Sequence, residues 1–219
     1  MEGTYLYSPF YPKAGGGATS AFRILSFTND SNINERGIPL PQITFNWSYA
    51  GIPTAQSITP FIGNIPASQR SFVLTGQPIA DTITFTLTAS DSDGSQQRTA
   101  TTEVKFVDPI FYGTVLSTAP SKAEILGMNK HIALYEPLSE PFRVSLTITD
   151  EHSCFASPMT NPITDIVETV FGLSVLGTYT IIENVPLTMV DGLIVLYRVY
   201  VKKVPEHTLG QNFLLNVIF

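Results

Sequence analysis

The sequence predicts an all-β protein: an Ig-like β-sandwich, then a second small β-rich domain, with one short connecting helix. Three observations predict it. Apolar residues alternate with Thr, Ser and Asn over runs such as residues 43–49 and 81–89, the period of a strand with one buried face. Hydrophobic residues make up 43% of the 219-residue chain and charged residues only 14%, below the roughly 25% of ordinary soluble domains. Much of the remainder is Thr and Ser beside branched and aromatic residues, a mixture that packs well on a pleated surface.

Residues 1–21 hold Tyr5, Tyr7, Phe10 and Tyr11 among Pro9, Pro12 and Gly15-Gly16-Gly17. Pro and Gly interrupt regular structure, so this segment is expected to be an extended arm whose rings dock on a neighbouring subunit. Residues 22–27 read as a mostly buried strand, and Asn29-Asp30-Ser31-Asn32 as a turn. In 43–49, Ile43, Phe45, Trp47 and Tyr49 share one face, which places the lone Trp47 in a core. Strands follow over 57–62 and 71–76. In 81–89, Ile83, Phe85 and Leu87 point inward and the threonines outward; a hairpin turn at 90–95 leads to a partner strand over 98–107. Short antiparallel strands with a central Trp define the sandwich over 22–107.

Asp108-Pro109-Ile110-Phe111-Tyr112-Gly113 is expected to leave the sheet and open a linker over 108–130. The linker contains the one helix: Ser121 and Glu124 fit a capping box and Gly127 a stop. Residues 131–219 return to strands, at 143–149, 193–201 and 212–219. The apolar C-terminal run implies that the last strand is paired. Residues 164–176 have apolar spacing that could suit a helix, but Thr and Val are poor helix formers, so strand or irregular structure is expected.

No residue set specifies catalysis, a cofactor or a metal. Cys154 is the only cysteine, so no intrachain disulfide forms; its thiol, two residues from His152, is expected to be buried and inert. His131, His152 and His207 are far apart, and residues 150–154 read as a polar turn after a strand. Asp91-Ser92-Asp93-Gly94 resembles a calcium loop, but glycine is fourth and Thr102 occupies the twelfth place where a glutamate is required. Gly15-Gly16-Gly17 lacks the flanking strand and Lys-Ser/Thr of a phosphate loop. Net charge is −6 with scattered basic residues, which argues against nucleic acid. No basic segment followed by an apolar run opens the chain, so no secretory signal is expected. No run of about 20 apolar residues suggests a membrane span.

Several stretches together carry a resemblance. They are Phe45-Asn46-Trp47-Ser48, residues 70–76, residues 82–91, Lys105-Phe106 with Ile110-Phe111-Tyr112-Gly113, the Ser121 connector, Tyr197-Arg198-Val199-Tyr200, and residues 212–219. The pattern resembles bacteriophage tail and baseplate structural proteins with an Ig-like module. The resemblance implies a non-enzymatic virion component, made in the host cytoplasm, whose partners are other virion proteins and copies of itself. Tyr5, Tyr7, Phe10, Tyr11, Phe111 and Tyr112 are the expected interface residues. The alternatives are a capsid decoration or head-fibre protein, or a glycan-binding adhesion module in which Tyr5, Tyr7, Tyr11, Phe111 and Tyr112 stack on host sugars. A tail-spike hydrolase would need converging carboxylates or a His pair, which the sequence lacks.

Overall fold

The computed structural model describes residues 22–91, 96–133, 139–145, 150–205 and 212–219, with backbone only at 139–140 and 212–213. The protein is all-β. Strands β1 (Arg23–Asn29), β2 (Ile33–Glu35), β3 (Leu40–Ala50), β4 (Ala55–Thr59), β5 (Gly63–Ile65), β6 (Ser71–Ile79), β7 (Ile83–Ser90) and β8 (Gln97–Val107) build two sheets, ordered β1-β3-β6 and β2-β8-β7-β4-β5. Strand β2 runs parallel to β8, and β4 antiparallel to β5 and β7.

Two compact units divide the chain: Asn46–Phe72 and Thr86–Thr101 with the described residues up to Thr28, and Asn29–Phe45, Val73–Phe85 and Thr102–Phe219. In the first, Trp47 is buried edge-on to Phe27 at 6.5 Å. Its indole N–H donates to the Gln56 side-chain oxygen at 3.0 Å, which also accepts from the Tyr49 hydroxyl at 2.6 Å. The Gln56 amide nitrogen donates to the carbonyls of Pro66 and Gln69. One buried side chain thus joins strand β4, two aromatics of β3 and the loop before β6. Burial pushes the Tyr49 phenol up to about 12, against the pull of the Arg70 guanidinium 4.8 Å above its ring. In the second unit, Phe45 of β3 meets Phe85 of β7 at 4.6 Å, both fully buried. The alternation expected of β3 and β7 is therefore observed. The first strand is less buried than expected: within β1 only Phe27 and Asn29 are buried, and Leu25 is exposed.

The rest of the second unit holds β9 (Ile110–Val115), α1 (Lys122–Leu126), β10 (Asn129–His131), β11 (Ser139–Ser145), β12 (His152–Pro158), β13 (Asp165–Glu168), β14 (Leu173–Ser174), a short 3-10 turn (Leu176–Thr178), β15 (Tyr179–Thr188), β16 (Ile194–Lys202) and β17 (Asn212–Ile218). They form a five-stranded sheet, β10-β9-β12-β16-β15, and a four-stranded sheet, β11-β17-β13-β14. The terminal strand β17 is paired on both edges, with β11 and β13.

Both faces of the five-stranded sheet are covered. On one face Ile110, Phe155, Tyr179 and Tyr200 pack with Phe142, Val144, Ile166, Leu215 and Val217 of the four-stranded sheet. On the other, Phe111, Val115, Cys154, Ala156, Tyr197, Val199 and Val201 pack with Ile125 of α1 and with Leu187 and Met189. Neighbouring residues of one strand, such as Cys154 and Phe155, enter opposite cores because successive side chains point to opposite faces.

This double burial corrects two expectations. Residues 108–113 leave the sheet of β8 as expected but do not open a linker: Ile110–Val115 is strand β9 of another sheet, hydrogen-bonded between β10 and β12. Residues 152–154 are not a polar turn: they open β12, in which all seven residues are buried. A strand covered on both faces loses the alternation that marks a half-exposed one. Its polar members survive burial by bonding. His152 Nδ1 lies 2.6 Å from the Lys202 carbonyl, and the Ser153 and Tyr179 hydroxyls are 2.9 Å apart. Tyr197 and Tyr200 donate to the carbonyls of Pro109 and Ile163 at 2.9 and 2.8 Å.

The helix is as expected. The Ser121 hydroxyl accepts from Glu124 N–H, the Glu124 carboxylate accepts from Ser121 N–H, and Gly127 ends the helix. These bonds hold the Glu124 carboxyl below its usual range. A depressed folded value means that the cap contributes above the unfolded glutamate value of about 4.3 and is lost as pH falls through the lower folded value. Ser121→Ala is expected to cost about 1 kcal/mol at neutral pH. In urea titrations, Glu124→Gln should differ from wild type at neutral pH and converge with it in acid. A gap that persists below the carboxylate range would refute the cap.

Candidate functional site

The polar clusters that might support chemistry are built into the cores. Burial pushes the Cys154 thiol up, away from the thiolate that nucleophilic attack requires. Ser153 and His152 are spent on the Tyr179 hydroxyl and the Lys202 carbonyl, and burial pushes the Tyr179 phenol up to about 12. Among the described residues, no group of three His, Cys, Asp or Glu could hold a metal ion. An open cleft of about 520 Å³ is lined by Arg36, Asp81 and Asp191. Arg36 pairs there with Asp108 at 3.4 Å, and burial raises the Asp108 carboxyl against that pull. This pairing is structural.

The predicted interface residues separate into two groups. Tyr5, Tyr7, Phe10 and Tyr11 lie outside the described residues, as do most of the calcium-like loop, the glycine run and His207. Phe111 and Tyr112 are described, and Phe111 corrects the expectation. It has no exposed surface; its ring packs on Tyr197 at 5.5 Å. Tyr112 is half-buried, edge-on to Phe142 at 4.9 Å. The physical reason is the position of β9 inside a sheet covered on both faces. Neither ring is a free platform for a sugar or a partner.

The β13–β14 hairpin, where sequence reasoning placed no site, presents apolar side chains to solvent, as does the β15–β16 turn at Val190, Leu193 and Ile194. Val170, Phe171 and Leu173 are 75%, 78% and 62% exposed. Residues 169–177 carry no charge. The tip is held by its own backbone. The Glu168 carboxylate accepts from the N–H groups of Val170 and Phe171 at 2.9 and 3.0 Å. Gly172 turns the chain at φ 66° and donates to the Glu168 carbonyl at 2.9 Å. A side chain at Gly172 would strain this left-handed conformation. Behind the tip, the Thr169 hydroxyl donates to Leu214 of β17 at 2.9 Å. The result is a short, pre-ordered finger with an aromatic at its end. Contiguous apolar surface rimmed by polar groups marks a contact site, whereas single exposed apolar residues do not. The available signal was the juxtaposition of two bulky apolar residues with Gly172 between weak strand patterns.

A second apolar feature lies on the α1 side of the five-stranded sheet. A cavity of about 230 Å³ is lined by Phe111, Leu126, Thr188, Met189, Val190 and the Lys130–Glu35 ion pair. The Lys130 ammonium is 5.9 Å from the Phe111 ring centre.

No protein-family model, curated protein or solved structure matches the chain.

Proposed function

We propose that this protein is a non-catalytic structural component of a bacteriophage particle, in the tail or baseplate, acting through protein–protein assembly contacts. The observation that carries the reading is the pre-ordered apolar finger at Val170, Phe171 and Leu173 on a charge-poor all-β scaffold. Such a surface costs solubility unless a partner covers it. What supports the Ig-like part of the reading is the division of strands β1 to β8 into two separate sheets, β1-β3-β6 and β2-β8-β7-β4-β5, since an Ig-like sandwich is built of two sheets. Partners are other virion proteins and copies of the chain itself. Of the rings on which the glycan-binding alternative drew, Tyr5, Tyr7 and Tyr11 lie outside the described residues, Phe111 is buried and Tyr112 is half-buried, so the described rings lend it little support.

Mass spectrometry of purified particles of the phage that encodes this chain is the test. The protein is expected among the structural proteins in stoichiometric amount, and its absence would overturn the proposal.

A further inference from the structure

We propose that residues 116–128, which carry α1, form a lid that opens as a unit over the Cys154 face of the five-stranded sheet while the five-stranded and four-stranded sheets stay folded. The lid is a device of the fold itself and does not depend on the assembly reading.

Few side chains join the lid to the sheet. Within α1 only Ile125 is buried, and it enters the core of Phe111, Cys154 and Leu187. Leu116 and Leu126 are exposed. Met128, partly buried, supplies the second anchor. It lies over Gly113, where an added Cβ would come within 3.4 Å of the Met128 Cβ and Cγ. Gly113 is the register partner of Cys154, and side chains of paired residues share a face. The methionine therefore occupies the space that the missing side chain leaves beside the thiol.

The hydrogen bonds of the segment close on itself. The Glu124 carboxylate accepts from the Ser121 N–H and hydroxyl, both at 2.7 Å, and from the Leu116 backbone. The Ala119 N–H donates to the Ser117 hydroxyl, and the Met128 N–H to the Ile125 carbonyl. These bonds travel with the lid when it lifts. Cavities flank it on two sides: one of about 480 Å³ reaches Glu124, Gly127 and Met128, and one of about 230 Å³ reaches Leu126. Opening forfeits the burial of one isoleucine and part of a methionine, and it returns backbone freedom to the whole segment. Unfolding the sheets would forfeit Phe111, Phe155, Tyr197 and Tyr200 as well, each fully buried. Lid opening is therefore much cheaper than global unfolding, which is the condition for a sub-global opening. It makes the thiol conditional: inert under the closed lid, and available to disulfide exchange under the open one.

Cys154 is the only cysteine and so reports the opening. The test is labelling of the native full chain with dithiobis-nitrobenzoate. The thiolate attacks the reagent's disulfide, a mixed disulfide forms on Sγ, and one thionitrobenzoate leaves. Well below the unfolding transition, the wild-type rate should vary little with urea. Ser121→Ala should raise it about fivefold, the loss of a cap expressed as a population, and Ile125→Ala should raise it further. Phe142 and Val144 belong to the core on the opposite face of the sheet. Phe142→Ala, and Val144→Ala as a milder variant of the same core, lower global stability and should leave the labelling rate unchanged. Near-ultraviolet circular dichroism checks that each variant is folded. A wild-type rate that climbs with urea as steeply as global unfolding would overturn the lid. So would a rate that follows global stability in the Phe142→Ala or Val144→Ala chain, or a Ser121→Ala rate equal to that of wild type.

Discussion

Phe155→Ala is expected to lower stability by about 3–5 kcal/mol, the usual cost of emptying an aromatic site in a core. Phe155 sits at the middle of β12, the central strand of the five-stranded sheet, with no exposed surface. Its ring lies 5.9 Å from Phe142 of the four-stranded sheet and 6.2 Å from Tyr179. Truncation therefore opens a void between two sheets that are anchored on many other residues and cannot collapse together cheaply. The thermal transition should fall by roughly 10 °C for a chain of this size. Phe171→Ala is the contrast. It removes the same atoms from solvent-facing surface, and its stability should stay within about 0.5 kcal/mol of wild type. Urea titrations of both variants followed by circular dichroism measure the difference. Equal costs at the two positions would contradict the burial that separates core from finger.

Gln56→Leu should cost about 3 kcal/mol despite the near-conservation of shape. The side chain bonds four groups: the Trp47 indole N–H, the Tyr49 hydroxyl, and the carbonyls of Pro66 and Gln69. Leucine satisfies none of them. Trp47 is 3% exposed, so its N–H cannot turn to water, and a stranded buried donor or acceptor costs about 1–3 kcal/mol. Tyr49 as a residue is only partly buried, and a water partner for its hydroxyl keeps the total below the sum of four losses. Adding Trp47→Phe removes the stranded donor, so the double variant should be less destabilised than the two single effects combined. Urea titration of the four chains measures the coupling. Strict additivity would mean that Trp47 and Gln56 do not depend on each other.

Features that depend on near neighbours were legible in the sequence. The alternation in β3 and β7 placed Ile43, Phe45, Trp47, Phe85 and Leu87 in a core because a half-exposed strand writes its burial into a period of two. Ser121, Glu124 and Gly127 marked the helix because a cap is made by residues three apart. The apolar end of the chain implied a paired last strand, and β17 is paired on both edges. Other features depend on residues far apart in the chain and became visible only in the folded protein. Strands β9 and β12 lie where cores form on both faces, so Phe111 became core and His152-Ser153-Cys154 became strand. The groups that satisfy or cover them come from elsewhere: Tyr197 bonds Pro109 from 88 positions away, and His152 meets Lys202 from 50. No local period carries that information. The Phe171 finger was hidden for the opposite reason. An apolar residue is expected inside, and composition cannot say that a turn held by Glu168 and Gly172 presents it to solvent. Only the folded hairpin, with no described strand on its outer edge, sets that ring outward.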